Sequence, residues 1–402
     1  MSAEQTPRAM RHIITLVGCR NAGKSSLINA LTGQDISIVS PEAGTTTDSV
    51  AKPYELLPLG PVTFYDTAGL DDDSSLGQKR IHASRKALYK ADVALLVLGD
   101  MGFTAFDKKI VEELKRLQIP TIVVFNKADL KHPAPQDETF CKEEKLPFVS
   151  VSSSAQTGID ELKHLIISLI PEDSKKETPL LGDLINPKDS VILVAPIDTS
   201  APKNRLILPQ VQVLREILDR KAVATVVQPD ELKEALEMLK NPPRLVITDS
   251  QAIFQVNQIV PENIELTTFS ILFARFKGDL KILSENAKVI DKLVDGSRVL
   301  IAEACSHHAQ DDDIAKVKIP KLLSKYTDKT LSFDFCTGCD FPEDLEKYDL
   351  VVHCGACMLN KKEMGRRLKE CIRRGVPVTN YGVAISKAQG ILDRVIKPFS
   401  SL

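Results

Sequence analysis

One short string constrains this chain more than any other. Gly18-Cys-Arg-Asn-Ala-Gly23-Lys24-Ser25 follows an apolar run, residues 12–17, and precedes a helical pattern, Ser-Leu-Ile-Asn-Ala-Leu. G-x-x-x-x-G-K-S between a strand and a helix is the spacing of a phosphate-binding loop. Its glycines let successive backbone N–H groups wrap phosphate oxygens, and the helix N-terminus adds partial positive charge. Lys24 is expected to reach the outer phosphates and the Ser25 hydroxyl to ligate magnesium. Gly18, Asn21, Ala22, Gly23 and Ser26 complete the expected nucleotide-binding set.

Such a loop needs a mainly parallel sheet with helices on its faces, and the rest of the chain reads that way. Apolar strand candidates fall at 12–17, 50–57, 61–65, 92–98, 120–125 and 147–151. They recur at 191–196, 224–228, 244–248, 299–305, 349–354 and 376–382, with helical patterns between most of them. This alternation predicts an α/β protein of three successive open, mainly parallel sheet domains with flanking helices. The polar, Pro- and Gly-bearing stretch 173–188 marks a linker, so the expected domains are 1–172, 189–275 and 276–402. No apolar run approaches the roughly 20 residues of a membrane span. The first residues carry no apolar secretion core, so a cytoplasmic location without a membrane partner is expected. The 52 basic and 54 acidic residues nearly balance, Trp is absent and aromatics are 5%, which disfavours nucleic acid as a partner.

Three further strings select the nucleotide. Asp66-Thr67-Ala68-Gly69 ends a strand, where Asp66 can act on magnesium through water and the Gly69 N–H can sense a γ-phosphate. Asn126-Lys127-Ala128-Asp129 ends another strand, and the Asp129 carboxylate can accept both N–H groups of a guanine edge. Adenine lacks that donor pair and would leave a buried charge unpaired. Ser152 and Ser153 precede Gly158-Ile-Asp-Glu-Leu, at the place of a loop that contacts the guanine oxygen through its backbone. In this order and spacing the strings resemble the GTPase domain of the translation-factor-related class, so a P-loop GTPase fold is implied for the first domain. Gly44-Thr45-Thr46-Thr47-Asp48 looks like the first switch of the TrmE–Era branch. That resemblance implies a magnesium ligand at Thr46, favoured over Thr45. Asn21 resembles the asparagine that binds potassium in ion-activated members, so Lys24, Asn21 and Thr46 are the expected catalytic set. Leu70 stands where a Ras-like enzyme places glutamine, and a leucine cannot orient water. Asp71-Asp72-Asp73 reads as a solvated switch loop or as the source of a water-orienting carboxylate, and no general base is assigned.

The cysteines point to a second chemistry. Of eight, five lie between 305 and 357. Cys305-Ser306-His307 follows one strand candidate and His353-Cys354-Gly355-Ala356-Cys357 follows another. Sites in open parallel sheets form beyond the carboxyl ends of strands, where these two motifs can meet. Three thiolates with a variable fourth ligand suit an iron–sulfur cluster with one open iron, whereas a closed cysteine set suits structural zinc. His307, His353, Glu303 or water are candidates for the fourth position. Cys336-Thr-Gly-Cys339 is a second C-x-x-C between the motif halves, a rival metal site, a redox pair or an extra without an essential role, the last being favoured, and the isolated Cys19, Cys141 and Cys371 read as packing residues.

C-x-H followed by H-C-x-x-C, behind a TrmE-like GTPase, resembles the FeFe-hydrogenase maturation GTPases, the HydF family, over essentially the full chain. The resemblance implies that Cys305, Cys354 and Cys357 hold a 4Fe–4S cluster and that the middle domain makes a homodimer. It implies a GTP-hydrolysing scaffold that receives a diiron precursor from radical-SAM maturases and delivers it to the apo-hydrogenase. GTP, magnesium, potassium and the cluster are the implied cofactors. The GTPase domain alone also allows a TrmE/Era-like role in RNA modification or ribosome assembly. Lys361, Lys362, Arg366, Arg367, Lys369, Arg373 and Arg374 crowd one predicted helix after Cys357. They read as a solvated face or as a surface steering an anionic precursor or an acidic partner.

Overall fold

The computed structural model describes residues 11–33, 50–67, 87–170, 179–197, 206–304, 314–338, 341–342, 344–356 and 359–399. Its contacts divide the chain into two compact units, Met1–Glu177 and Thr178–Leu402.

The first unit is built on six strands: β1 His12–Val17, β2 Val50–Leu56, β3 Gly60–Asp66, β4 Val93–Leu98, β5 Thr121–Phe125 and β6 Phe148–Ser150. Their order is β2-β3-β1-β4-β5-β6, parallel throughout except for β2 against β3. Every side chain of β4 and β5 is buried, as a sheet covered on both faces requires. Alternate residues of β4 serve opposite faces. Val93, Leu95 and Val97 pack with Leu27, Ile28 and Leu162, while Ala94, Leu96 and Leu98 pack with Ile110, Val111 and Leu114. The helix Ala105–Arg116 starts on a capping box in which Thr104 Oγ1 accepts from the Asp107 N–H at 3.2 Å and Asp107 accepts from the Thr104 N–H at 3.0 Å.

The second unit contains two all-parallel sheets. One is ordered β10-β9-β7-β8, from β7 Ser190–Val194, β8 Val223–Val227, β9 Leu245–Thr248 and β10 Glu265–Thr268. The other is ordered β12-β11-β13-β14, from β11 Arg298–Ala302, β12 Ser332–Cys336, β13 Leu350–His353 and β14 Val378–Asn380. One apolar cluster runs through both sheets, joining Ile192, Val246 and Leu266 of the first to Val299, Ile301 and Val352 of the second. Leu180, Leu181, Leu184 and Ile185, from the polar stretch before β7, are buried against Val191, Leu193 and Leu245. Strands β10 and β12 were not among the sequence candidates. Glu-Leu-Thr-Thr has no apolar run, and Ser-Phe-Asp-Phe-Cys is a half-exposed edge.

Candidate functional site

The phosphate-binding loop leaves β1 over the carboxyl end of β4. Gly18 has φ +147°, and a side-chain carbon there would run into the Val97 carbonyl. Lys24, first in its helix and buried, arches back so that Nζ donates to the carbonyls of Gly18 at 3.0 Å and Cys19 at 2.8 Å. Asn21 takes φ +62° and is exposed, and Ser26 is exposed on the first turn. Ser25 Oγ donates to Asp66 Oδ2 at the end of β3, which the register places beside Leu16 of β1. Thr67 Oγ1 donates to the Leu16 carbonyl at 2.6 Å and closes the same corner.

The Asn126–Asp129 and Ser152–Ser153 strings come off β5 and β6, next in the sheet order. Asn126 is buried and joins them to the phosphate loop. Its Nδ2 donates to the Ala22 carbonyl at 3.0 Å, and its Oδ1 accepts from Ser153 Oγ at 2.9 Å. Lys127 takes φ +61°, and its Nζ lies 3.7 Å from Asp100. Asp129 is exposed, accepting from Ser152 Oγ at 2.6 Å and Ser154 Oγ at 3.2 Å. The Ser152 hydroxyl holds its carboxyl below the usual carboxylate range, so it is an anion at neutral pH. The geometry therefore brings Gly18, Asn21, Ala22, Gly23, Lys24, Ser25, Asp66, Asn126, Lys127, Asp129, Ser152 and Ser153 to one edge of the sheet. Thr46, Gly69, Leu70 and Asp71–Asp73 lie outside the described residues.

In the last sheet, the register sets Cys336, Ala302, His353 and Asn380 in one row across β12, β11, β13 and β14. The described chain leaves each of these residues by the same edge of the sheet. Cys354 Sγ accepts from the Ala304 N–H at 3.1 Å and the Ala356 N–H at 3.4 Å, and the Cys354 N–H donates to the Ala302 carbonyl at 2.8 Å. Backbone N–H groups aimed at a sulfur favour its thiolate form, which is the form that binds metal. The residue before Cys305 thus touches the sulfur of Cys354. Cys305, His307, Cys339 and Cys357 lie outside the described residues, and among those described no three ligand-type side chains converge. Cys354 fits a thiolate-bound cluster at this edge.

His353 is buried with both ring nitrogens engaged. Nδ1 lies 2.9 Å from the Cys354 carbonyl and Nε2 lies 3.0 Å from Arg367 Nη1. A carbonyl only accepts and a guanidinium only donates, so the proton sits on Nδ1 and Nε2 accepts. Burial, then the Arg367 charge, pushes this imidazole down to about 3, and neither nitrogen is left to coordinate in this arrangement. Arg367 itself also donates to the Gly338 carbonyl at 2.7 Å, pairs with buried Glu363 at 3.2 Å and stacks on Phe341. The Cys336-Thr-Gly loop is thereby tied to the end of β13. Glu303 joins the same edge through its N–H, 2.9 Å from the Cys336 carbonyl.

The basic helix is less of a charged surface than its sequence suggests. Arg367 is internal, and Arg373 and Arg374 both bind Glu370, with Arg374 also on Glu346. The bonds from Arg373 and Arg374 bring Glu370 down to about 2, against desolvation. Met364, Leu368 and Cys371 line the inner face at helical spacing, and that stripe was the sequence signal that Arg367 points inward. Asn380 and Tyr381 are also structural. Asn380 Oδ1 accepts from the Val383 N–H at 2.8 Å, and Tyr381 is packed in the shared core. Cys141 and Cys371 are fully buried, while Cys19 Sγ lies 3.6 Å from Asp107.

Family models match nearly the whole chain in three segments. Residues 13–127 match a 50S ribosome-binding GTPase domain, 180–278 the hydrogen maturase F dimerization domain, and 281–398 the hydrogen maturase F tetramerization domain. The chain belongs to the hydrogen maturase F family. It carries a GTPase domain followed by the family's two oligomerisation domains, and no described helix is long and apolar enough to cross a membrane. The tRNA modification GTPase MnmE of Chromobacterium violaceum is 39% identical over 160 residues, covering 39% of this chain and 34% of that protein. MnmE of Protochlamydia amoebophila is 31% identical over 268 residues, covering 65% of this chain and 50% of that protein. This member of the maturase F family thus spans about a third to a half of the length of these two curated relatives. A solved structure of Aquifex aeolicus Era bound to GDP and AlF4− is 25% identical, with TM-score 0.35, covering 54% of this chain and 92% of that one.

Proposed function

We propose that this protein is a GTP-hydrolysing scaffold that holds a 4Fe–4S cluster on Cys305, Cys354 and Cys357 and delivers a diiron precursor in FeFe-hydrogenase maturation. The observation that carries the cluster reading is the 3.1 Å hydrogen bond from the Ala304 N–H to Cys354 Sγ. It brings the residue before Cys305 to the sulfur of Cys354, 50 positions further along the chain, which supports a shared site. A cluster held by three thiolates offers one iron to an incoming ligand. The chain supplies the sulfurs, the amide donors that favour the anionic form of Cys354, and a buried wall from β11 and β13.

Hydrolysis transfers the γ-phosphoryl group of GTP to water, giving GDP and phosphate, largely by positioning and charge stabilisation. Lys24 sits where its ammonium can leave the Gly18 and Cys19 carbonyls for the β- and γ-oxygens. Ser25, Thr46 and Asp66 would hold magnesium, and Asn21 potassium, and both cations would offset negative charge on the phosphates. Asp129 reads the guanine edge, held ready by the Ser152 and Ser154 hydroxyls. Asn126 ties this reader to the phosphate loop, so nucleotide occupancy is sensed at both ends. Loss of the γ-phosphate then releases the switch segments and changes the affinity for a partner.

Reconstitution under argon with ferrous iron and sulfide tests the reading, followed by EPR of the wild type and of Cys→Ser variants at 305, 336, 339, 354 and 357. Loss of the reduced-cluster signal is expected at 305, 354 and 357 only. Equal loss at 336 or 339 would overturn the ligand set. An RNA-directed GTPase is the second reading, favoured by the MnmE relatives. A colourless protein with tight, salt-sensitive tRNA binding would establish it instead.

A further inference from the structure

One ammonium group joins the two oligomerisation segments at the cysteine edge. The helix Phe269–Lys277 follows β10 and lies within the segment matched by the dimerization model, whereas Cys354 lies in the segment matched by the tetramerization model. Lys277, the last residue of that helix, is only 4% exposed. Its Nζ donates to the carbonyls of Ala356 at 2.8 Å and Leu359 at 2.9 Å, and it lies 5.2 Å from the centre of the Phe273 ring. Those two carbonyls stand on either side of position 357 in the sequence.

The turn that Lys277 holds is not one that alanine adopts readily. Ala356 has φ +52°, in the left-handed region that disfavours residues with a side chain. Its carbonyl also accepts from the Leu359 N–H at 3.1 Å, and its own N–H points at Cys354 Sγ, 3.4 Å away. The carbonyl and the N–H of Ala356 lie in successive peptide planes joined through its φ and ψ, so holding the carbonyl restrains the amide that faces the sulfur. Burying a lysine costs desolvation and rotamer entropy, which only a tightly defined geometry returns. Positive charge in this low-dielectric wall also favours added negative charge at a thiolate-bound centre.

We propose that Lys277 is a positioning residue for the iron–sulfur cluster: it ties the Ala356 and Leu359 carbonyls together, restrains the amide donor on Cys354, and raises the reduction potential of the bound centre. The proposal rests on the cluster reading above. It makes cluster retention a property of both oligomerisation segments, because the second segment's metal loop is held by the first segment's helix.

The test uses the full-length protein, reconstituted anaerobically, as wild type, Lys277→Met, Lys277→Arg and Lys277→Gln, with Cys354→Ser as the reference for a lost ligand. Lys277→Met is expected to keep the wild-type circular dichroism and native mass. It should release iron to a chelator about 10–100-fold faster, the usual range when an outer partner of a metal site is removed. Its reduced EPR signal should be altered and its midpoint potential more negative. Lys277→Arg keeps the charge and the donors and should recover much of the retention. Wild-type retention, EPR signal and potential in Lys277→Met would overturn the proposal. If the Met variant does not fold, Lys277→Gln decides: a more negative potential supports the proposal and an unchanged one overturns it. Wild-type protein that acquires no cluster absorbance overturns the underlying cluster reading instead, and the same samples reveal which has failed.

Discussion

Replacing Arg367 by methionine should destabilise the second unit by about 3–5 kcal/mol. The side chains of Arg367 and Glu363 are 4% and 5% exposed and 3.2 Å apart. The same guanidinium serves His353 Nε2 at 3.0 Å and the Gly338 carbonyl at 2.7 Å. Methionine matches the aliphatic stem, so packing changes little. What is lost is the partner of a buried carboxylate, and breaking a buried pair costs about 3–5 kcal/mol. The two neutral acceptors would cost about 1–3 kcal/mol each if left dry, but water takes the place of the guanidinium at both, so the broken pair sets the range. At about 2–4 °C per kcal/mol for a unit of this size, the calorimetric transition should fall by about 6–20 °C. Hydrogen exchange should place the loss in peptides covering 332–338 and 350–373. Adding Glu363→Gln removes the orphaned charge and should bring the cost back to about 1–3 kcal/mol. A single variant that loses less than about 1 kcal/mol, or a double variant no more stable than the single, would refute the reasoning.

Asp129→Asn removes two charge-assisted acceptors, together about 3 kcal/mol, so GTP affinity by titration calorimetry should fall roughly 100-fold. The same variant should gain affinity for xanthosine triphosphate, whose 2-carbonyl complements the new amide donor. Gly23→Ala would set a side-chain carbon against Asn126 Nδ2 at φ +89°, and should weaken GTP binding at least about tenfold while the far-ultraviolet dichroism stays unchanged. GTP turnover should be faster in potassium than in sodium, with the difference erased in Asn21→Ala. Glu370 titrates near 2 in the folded chain against an ordinary 4.5, so its stabilising contribution is complete above about pH 4.5 and is lost as pH falls towards 2. Arg373 is 62% exposed and screened by solvent, so the effect should stay under about 1 kcal/mol and vanish in Glu370→Gln, as acid unfolding would register.

The residues 18–25 already specified a strand, a glycine loop and a helix, because each glycine answers a local demand. Gly18 and Gly23 take positive φ, and a side-chain carbon would meet the Val97 carbonyl of β4 at the first and the Asn126 amide after β5 at the second. The apolar runs likewise marked β1, β4 and β5, since strands buried on both faces need unbroken hydrophobic sequence. The half-exposed edge strand β12 carries no such demand, and β10 was silent because two of its three buried residues are threonines. With β12 hidden, nothing local could place the Cys336 loop beside the cysteine motif; only the register with β11 did so. Arg367 read as one charge in a run, and nothing in the sequence singled out Lys277. Beyond Glu363 one turn away, the partners that take up Arg367 lie 14 and 29 positions along the chain, and those of Lys277 lie 79 and 82. Sequence alone determines what the backbone needs within a few residues. Tertiary structure decides which polar groups are taken from water, because that depends on surfaces the chain makes only when distant segments close over one another.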